Sequence, residues 1–305
     1  MRPMHGILLK IASVLVFIVM ASLIKATAAR VPPGEAVFFR SFFAIPVIVV
    51  WLAWRHELAS GFRARDPFGH LWRGVVGTLA MGLGFAGLAF LPLPEVTAIG
   101  YAAPLLTVVF AAMFLGEEVR MFRISAVVVG MIGVMIVLSP RLSVGADLSE
   151  AQALGVVLVL GGAVFAALAQ VVVRKLVQTE QTSAIVFWFS VTASALALVT
   201  LPFGWVVPGP ADAALLVLAG LLGGVGQVLL TSSYRHADAS VIAPFEYVSI
   251  LFALGIGYWA FGEVPTLTML GGATLVIAAG VLIIWRERQL GIERARQRKA
   301  MTPQG

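Results

Sequence analysis

The chain of 305 residues contains no cysteine and no asparagine, and only 12% of its residues are charged. The absence of cysteine excludes disulfide bridges, iron–sulfur clusters and thiolate zinc sites. Four histidines remain, and none of them is paired at the spacing of metal ligands, so the sequence predicts neither a metal nor a cofactor. Without asparagine the chain offers no acceptor for N-linked glycosylation.

Apolar residues dominate what is there. They make up 60% of the chain, whose mean hydropathy is +0.99, whereas soluble domains are about half apolar and a quarter charged. A membrane protein is therefore predicted. The net charge of +6 lies in short clusters between apolar runs, which is typical of loops that orient helices in a bilayer rather than of nucleic-acid binding. The first run ends at Lys25 without a small-residue cleavage site, so we expect a retained span and not a removed signal peptide.

Successive apolar runs are long enough to cross a bilayer. A hydrocarbon core of about 30 Å requires about 20 apolar residues in a helix. Prolines interrupt the sequence between many of the runs, and proline is a natural helix end. The predicted fold is an all-α membrane protein with roughly ten transmembrane helices. They cover residues 5–25, 35–54, 71–91, 95–115, 122–139, 152–172, 183–201, 212–231, 239–261 and 267–285.

Lysine and arginine are distributed very unequally between the two ends of these helices. If the N-terminus is inside, only Lys25, Arg30 and Arg141 of the 21 basic residues fall outside, while Arg40 lies within the second run. Basic residues in short loops favour the cytoplasmic side. We therefore predict that both termini are cytoplasmic.

The second half of the chain repeats the first. Each half holds five predicted helices, and because five is odd the second half must be inverted relative to the first. The halves align at an offset of 146 positions, which superimposes Tyr101 on Tyr247, Glu117 on Glu263, and Gly74 and Gly77 on Gly220 and Gly223.

This repetition predicts the domain organisation. The first repeat covers 5–141, the second covers 150–285, and a basic cytoplasmic tail at 286–305 is expected to lie on anionic headgroups. Inverted repeats provide alternating access to a site near the midplane of the membrane. The alternative is that duplication only builds a stable bundle.

Two short motifs identify a family. Phe114-Leu-Gly-Glu117 is followed by Gly130-Met-Ile-Gly-Val134, and Phe261-Gly-Glu263 is followed by Gly271-Gly272 and Ala279-Gly-Val281. In this pattern, residues 5–285 resemble the drug/metabolite transporter superfamily with two EamA-type repeats. The resemblance implies a monomeric or dimeric carrier of a small molecule in a bacterial inner membrane, with a cavity lined by helices one, three, four, six, eight and nine.

The resemblance also suggests a substrate. Gly34-Glu-Ala-Val-Phe-Phe-Arg40-Ser and Ala243-Pro-Phe-Glu-Tyr247 are most similar to alphaproteobacterial members that take up riboflavin or S-adenosylmethionine. Uptake of a vitamin or cofactor such as riboflavin is therefore the first prediction, and export of amino acids or related metabolites is the alternative. A membrane enzyme acting on lipids would need clustered acids, histidines or a nucleophile with its base, and the sequence contains no such cluster. We expect no enzymatic activity. The chain also lacks a phosphate-binding loop for ATP.

Charged residues inside predicted helices are candidates for binding, because an intramembrane charge costs about 3 kcal/mol or more. Glu246 and Lys10 lie at similar depth and are predicted to form a pair that a substrate or proton interrupts. A static ion pair, or a lysine reaching back to the headgroups, is the alternative. Arg40 either holds an anionic group of the substrate or locks the second helix to the fourth through Glu95.

Aromatic and amide side chains complete the set of candidates. Tyr101 and Tyr247 are predicted to line the cavity, and Trp188 lies away from the membrane interfaces where the other tryptophans fall. Packing is the alternative role for these rings. Gln170 and Gln227 either bridge helices or recognise a polar ligand. Glu117 and Glu263 end their helices and are predicted to act as gate or scaffold residues.

Overall fold

A computed structural model of the chain describes residues 3–115, 121–142, 150–236 and 243–301. These residues are overwhelmingly helical, and no strand occurs among them. Two 3-10 segments, Leu201–Phe203 and Ala243–Val248, precede the helices α11 and α12. The helices are α1 (Pro3–Thr27), α2 (Pro33–Phe42), α3 (Ala44–Trp54), α4 (Leu58–Gly61), α5 (Pro67–Gly87), α6 (Leu93–Gly100), α7 (Ala102–Leu115), α8 (Met121–Leu142), α9 (Glu150–Leu176), α10 (Thr182–Leu198), α11 (Pro210–His236), α12 (Ser249–Phe261) and α13 (Leu267–Met301).

Many of these helices suit a bilayer, which confirms the predicted all-α, multi-pass membrane protein. Two shorter apolar helices, Ile124–Ser139 and Thr182–Leu198, accompany the long ones. The third predicted run lies on α5, which is less apolar because it contains His70, Arg73 and several glycines. Seven segments are long and apolar enough to cross a membrane, namely Met4–Thr27, Pro33–Trp54, Leu93–Phe114, Glu150–Val173, Pro210–Ser233, Pro244–Phe261 and Leu267–Arg286.

Two large clusters of buried side chains hold most of the bundle together, beside a small one on α3. One is centred on α6 to α9 with α12 and α13, and includes Val134 and Val276. The other is centred on α1, α2, α5, α10 and α11, and includes Ile24, Val37 and Leu216. In lipid, helices associate through close packing rather than through exclusion of water. The interfaces therefore depend on small residues that let backbones approach.

The glycines of the fifth and last apolar runs show this close approach. Gly133 on α8 faces Gly272 on α13, and a β-carbon on Gly272 would lie 2.6 Å from the carbonyl oxygen of Gly133. A β-carbon on Gly133 would likewise meet the carbonyl oxygen of Gly272 at 2.9 Å. No side chain fits between these two backbones, so the glycines fix how closely α8 and α13 pack.

Two apolar runs that the sequence predicts as continuous helices are broken. The run 35–54 divides at Phe43 between α2 and α3, and the run 95–115 divides at Tyr101 between α6 and α7. Pro46 and Pro104 each occupy the third position of the helix after the break. Proline lacks an amide hydrogen and its ring clashes with the carbonyl four residues earlier, which ends the preceding helix at Phe42 and Gly100.

The last helix differs from the prediction in its length. Helix α13 continues without interruption from Leu267 to Met301, so most of the predicted tail 286–305 is an extension of the final helix.

Candidate functional site

The two halves of the chain meet where α6 gives way to α7 and where a 3-10 segment leads into α12. Tyr101 lies between α6 and α7, and Tyr247 lies in the 3-10 segment that leads into α12. The two rings are edge to face, with centroids 5.0 Å apart and an interplanar angle of 70°. Both residues belong to the same buried cluster, with 5% of Tyr101 and 7% of Tyr247 exposed. The rings are packed against each other, and their role in lining a cavity stays a prediction.

Polar contacts reinforce this ring pair. The Tyr101 hydroxyl lies 2.5 Å from Ser249 Oγ and 3.2 Å from the carbonyl oxygen of Tyr247. The hydroxyl of Tyr247 occupies the space beside Gly280 on α13, where a β-carbon could not fit. Carbonyl groups at a helix break need partners inside a membrane, and the Tyr101 hydroxyl provides one.

Lys10 and Glu246 form an ion pair between α1 and the 3-10 segment. Lys10 is buried, with 3% of the residue exposed, whereas 48% of the Glu246 side chain is accessible. Nearby on α1, the Ser13 hydroxyl donates to the carbonyl oxygen of Gly226 on α11. The pair thus combines an enclosed cation with a carboxylate that a ligand or proton can reach.

A second ion pair joins the far end of α1 to the far end of α12. Lys25 Nζ lies 2.9 Å from Glu263 Oε1 and also donates to the carbonyl oxygen of Leu91 at 2.7 Å. Glu263 Oε2 accepts from the backbone N–H of Leu93 at 2.9 Å. We call Lys25, Glu263 and the Leu93 amide the latch. It connects α1, the start of α6 and the end of α12.

Gly262 explains why the Gly-Glu motif positions this carboxylate. Its φ of +66° lies in the left-handed region, which glycine adopts without a steric penalty. The turn ends α12, and the Glu263 amide then donates back to the carbonyl oxygen of Gly257 at 2.9 Å. The corresponding Glu117 lies outside the described residues.

Two other glutamates bind connections that belong to the opposite half. Glu35, at the start of α2, accepts from the N–H of Val206 at 3.1 Å, in the connection before α11. Glu180, just before α10, accepts from the N–H groups of Arg65 and Asp66 at 2.6 Å each, in the connection before α5. Both carboxylates are buried. The second and seventh predicted helices therefore make matching contacts with each other's halves.

Arg40 lies in a cluster that includes a second arginine. Its Cζ is 5.6 Å from the centroid of the Phe189 ring on α10, and the Cζ of Arg73 on α5 is 4.1 Å from the same centroid. The sequence predicts Arg40 as a candidate but counts Arg73 among the cytoplasmic charges. Arg73 lies more than a turn inside α5, which begins at Pro67, and this depth is the signal that could have identified it.

The remaining candidates lie on other helices than the tyrosine pair. Trp188 Nε1 donates to the carbonyl oxygen of Phe62 at 2.9 Å, so its indole is bound to the segment after α4. Gln170 is exposed on α9, and Gln227 is half-buried on α11. Among the described residues, no group of three or more metal-ligating side chains could hold a metal ion.

Comparison with known proteins identifies the family. A model of the EamA-like transporter family matches residues 4–139 and, a second time, residues 153–285. The chain belongs to the EamA-like transporter family. This confirms the predicted membership of the drug/metabolite transporter superfamily. Proteins of the EamA-like family are transporters by name, and the two matches leave only short segments outside.

Curated relatives within the family carry different names. The chain is 34% identical to the pseudopaline exporter CntI of Pseudomonas aeruginosa over 278 residues, which cover 90% of this chain and 94% of the exporter. It is 30% identical to the riboflavin transporter of Rhizobium johnstonii over 257 residues, 84% of this chain and 82% of that protein. It is 26% identical to the S-adenosylmethionine uptake transporter of Rickettsia bellii over 265 residues, which cover 87% of this chain and 88% of that protein. These EamA-like relatives thus differ in both substrate and direction.

A solved crystal structure has the same fold. It matches with a TM-score of 0.67 at 18% identity, and the match covers 95% of this chain and 99% of that chain. At this identity the likeness establishes the shared fold alone.

Proposed function

We propose that the chain is a secondary carrier that moves a small metabolite by alternating access. In this proposal, ten helices cross a bacterial inner membrane as two inverted five-helix repeats, 5–141 and 150–285, with both termini and the basic segment 286–305 in the cytoplasm. Each break within a predicted run then lies inside one membrane crossing. The single observation that carries the proposal is the contact between Tyr101, at the break between α6 and α7, and Tyr247, in the 3-10 segment that leads into α12.

Broken helices at equivalent repeat positions are typical of carriers. In such folds, discontinuous helices meet near the midplane, and substrate binds beside the irregular backbone. Tyr101 and Tyr247 occupy equivalent positions, and each adjoins a break or a 3-10 segment. Glu246 precedes Tyr247, whereas the equivalent residue in the first half is Gly100. Glu246 is therefore a charge that one repeat has beside its tyrosine and the other lacks. We expect the substrate to bind next to this carboxylate.

Reciprocal packing supports the inverted arrangement. Helix α1 packs along α11, and α5 packs along α9, so the first helix of each half contacts the third helix of the other. The contacts of Glu35 and Glu180 show the same reciprocity, because each glutamate binds a connection in the other half. An inverted repeat produces such exchanged pairs because its two-fold axis lies in the membrane plane.

Two ion pairs provide a mechanism for the conformational change. Lys10 and Lys25 lie on α1, about 22 Å apart by helical rise. Their partners are Glu246, inside the ninth predicted helix, and Glu263, just beyond its end. With Lys10 near the cytoplasm, the latch closes the outer side. A substrate or proton that neutralises Glu246 releases one end of α1, and α1 then rocks to open the latch.

Riboflavin uptake is the substrate proposal. It is supported by the resemblance of the Ala243-Pro-Phe-Glu-Tyr247 segment and by the riboflavin transporter among the relatives. Export of amino acids or related metabolites is the second candidate, and the exporter at 34% identity favours that direction.

Growth tests distinguish riboflavin uptake from amino-acid export. The chain is expressed in a riboflavin auxotroph on limiting riboflavin, and separately in cells exposed to excess aromatic amino acids. Rescue of the auxotroph, lost in Glu246→Gln and retained in Glu150→Gln, supports uptake. Relief of amino-acid toxicity without rescue supports export. If neither strain responds, both substrate proposals are wrong.

A further inference from the structure

Two arginines share one aromatic ring inside the bundle. The guanidinium carbons of Arg40 and Arg73 lie 5.6 Å and 4.1 Å from the centroid of Phe189. Arg40 is 96% buried, since only 4% of it is exposed. The Nε and Nη1 atoms of both arginines are buried and have no hydrogen-bond partner among the described residues. Four donor groups are therefore directed into this part of the bundle without an acceptor.

This arrangement is unfavourable unless an anion completes it. Charged side chains inside a membrane protein are normally paired, and like charges close together repel each other in a medium of low dielectric constant. The Phe189 ring offsets part of the cost through cation–π contacts, but it accepts no hydrogen bonds in the guanidinium plane. The donors still lack acceptors, so the site as it stands suits an anionic oxygen group.

The arginines are not part of the duplicated scaffold. At the repeat offset of 146, Arg40 corresponds to Val186 and Arg73 corresponds to Ala219, so neither cation has a counterpart. By helical rise, Arg40 lies about 10 Å from the start of α2 and Arg73 about 9 Å from the start of α5. These helices begin at opposite ends of the bundle. The two side chains therefore meet at Phe189 in the interior of the bundle, away from the ends of both helices.

We propose that Arg40 and Arg73 bind the anionic group, a carboxylate or a phosphate, of the transported substrate, with Phe189 holding both guanidinium groups in place. This inference rests on the proposed carrier function and narrows its substrate class. Guanidinium groups present a planar set of donors that matches carboxylate and phosphate oxygens. The site distinguishes metabolites that carry such a group from uncharged ones, and uncharged riboflavin is then a poorer ligand than its phosphorylated form.

Equilibrium dialysis of the purified full chain in detergent tests this with two matched pairs of probes. Flavin mononucleotide is compared with riboflavin for a phosphate, and nicotinate is compared with nicotinamide for a carboxylate. We expect the anionic member of at least one pair to bind at least tenfold more tightly than its neutral partner. In Arg40→Gln and in Arg73→Gln the preference falls to threefold or less. Arg55→Gln, which alters an arginine paired with Glu57 at the end of α3, retains it.

Several outcomes would overturn the proposal. One is equal binding within both pairs, and another is a preference that survives both substitutions. If Arg40→Gln does not fold, Arg40→Lys retains the charge and must keep the preference that Arg73→Gln loses. If none of the four probes binds, the melting temperature in sodium phosphate is measured instead. Phosphate must raise it more for the wild type than for the Arg73→Gln variant. An equal rise contradicts the proposed anion site.

Failure of the carrier proposal gives a different result. If the chain does not rescue the riboflavin auxotroph but binds the anionic probes more tightly, riboflavin is not the substrate and the arginine site stands. If the chain rescues the auxotroph but binds anionic and neutral probes equally, the arginine proposal is wrong and the carrier proposal stands.

Discussion

Tyr101 and Tyr247 are 146 positions apart in the chain, and their rings lie edge to face with centroids 5.0 Å apart. The Tyr101 hydroxyl also reaches the carbonyl oxygen of Tyr247. Tyr101 therefore contacts its repeat counterpart at a helix break in the first half and at a 3-10 segment in the second. This contact joins the two halves at the centre of the bundle.

Tyr101→Phe tests the polar part of this contact. The substitution keeps the ring but removes the hydroxyl that contacts Ser249 and the Tyr247 carbonyl. We expect a loss of stability of about 1 kcal/mol, the usual net value of a buried hydrogen bond. The melting temperature in detergent measures it, with Tyr258→Phe as control because 56% of Tyr258 is exposed. If the two variants melt at the same temperature, the hydroxyl does not hold the halves together.

Much of the helical architecture could be predicted from the sequence, because apolar runs of membrane length leave the backbone no alternative to a helix. The breaks at Phe43 and Tyr101 could not be predicted from hydropathy, since the apolar runs continue through them. The sequence feature that marks the breaks is a proline shortly after each one, Pro46 and Pro104. A single proline hardly lowers the mean hydropathy of an apolar run, so hydropathy does not reveal the break.

The candidate site was only partly predictable. The sequence placed Lys10 and Glu246 at equal depth, and the structure pairs them. It could not bring Arg73 and Phe189 to Arg40, because three separate helices supply these residues and their rotation depends on packing. Lys25 was assigned to the outer side by charge, but its contact with Glu263 requires the three-dimensional arrangement.

Glu246→Gln tests the role of the central ion pair. The substitution leaves the buried Lys10 without a counter-ion, and we expect a loss of stability of about 1–3 kcal/mol. The double variant Lys10→Met with Glu246→Gln removes both charges and should recover stability without recovering transport. Thermal unfolding measures the first property, and accumulation of substrate at several pH values measures the second. A double variant that transports with the wild-type pH dependence contradicts a role in the cycle.

Gly272→Ala tests the contact between α8 and α13. The new β-carbon would lie 2.6 Å from the Gly133 carbonyl oxygen, so the backbones must separate. We expect a loss of about 1–3 kcal/mol, as for overpacked cores. The neighbouring Gly271→Ala is a matched control because no heavy atom lies within 4 Å of its β-carbon position. Denaturation of the purified variants should show Gly272→Ala alone as destabilised. Equal stability would mean that the helices are not in close contact.

Glu263→Gln tests the latch. The variant loses the charge that pairs with Lys25, although an amide oxygen can still accept from the Leu93 amide. We expect the outward-open conformation to become more populated. A thiol reagent applied from outside should therefore modify Leu93→Cys faster in the Glu263→Gln background than with Glu263 intact. The chain has no native cysteine to obscure the signal. Glu150→Gln serves as the control. An unchanged rate of modification indicates that Lys25 and Glu263 do not close the outer side.

Alternating access between two inverted halves is tested most directly at Gly100, the counterpart of Glu246. A cysteine there meets open space, because no heavy atom lies within 4 Å of its β-carbon position. Labelling of Gly100→Cys with a membrane-impermeant thiol reagent is measured in intact cells and in inside-out vesicles, with and without Glu263→Gln. We expect labelling from the cytoplasmic side when the latch is intact, and a shift towards the outer side in the Glu263→Gln background. Equal labelling from both sides that is insensitive to the latch would contradict alternating access.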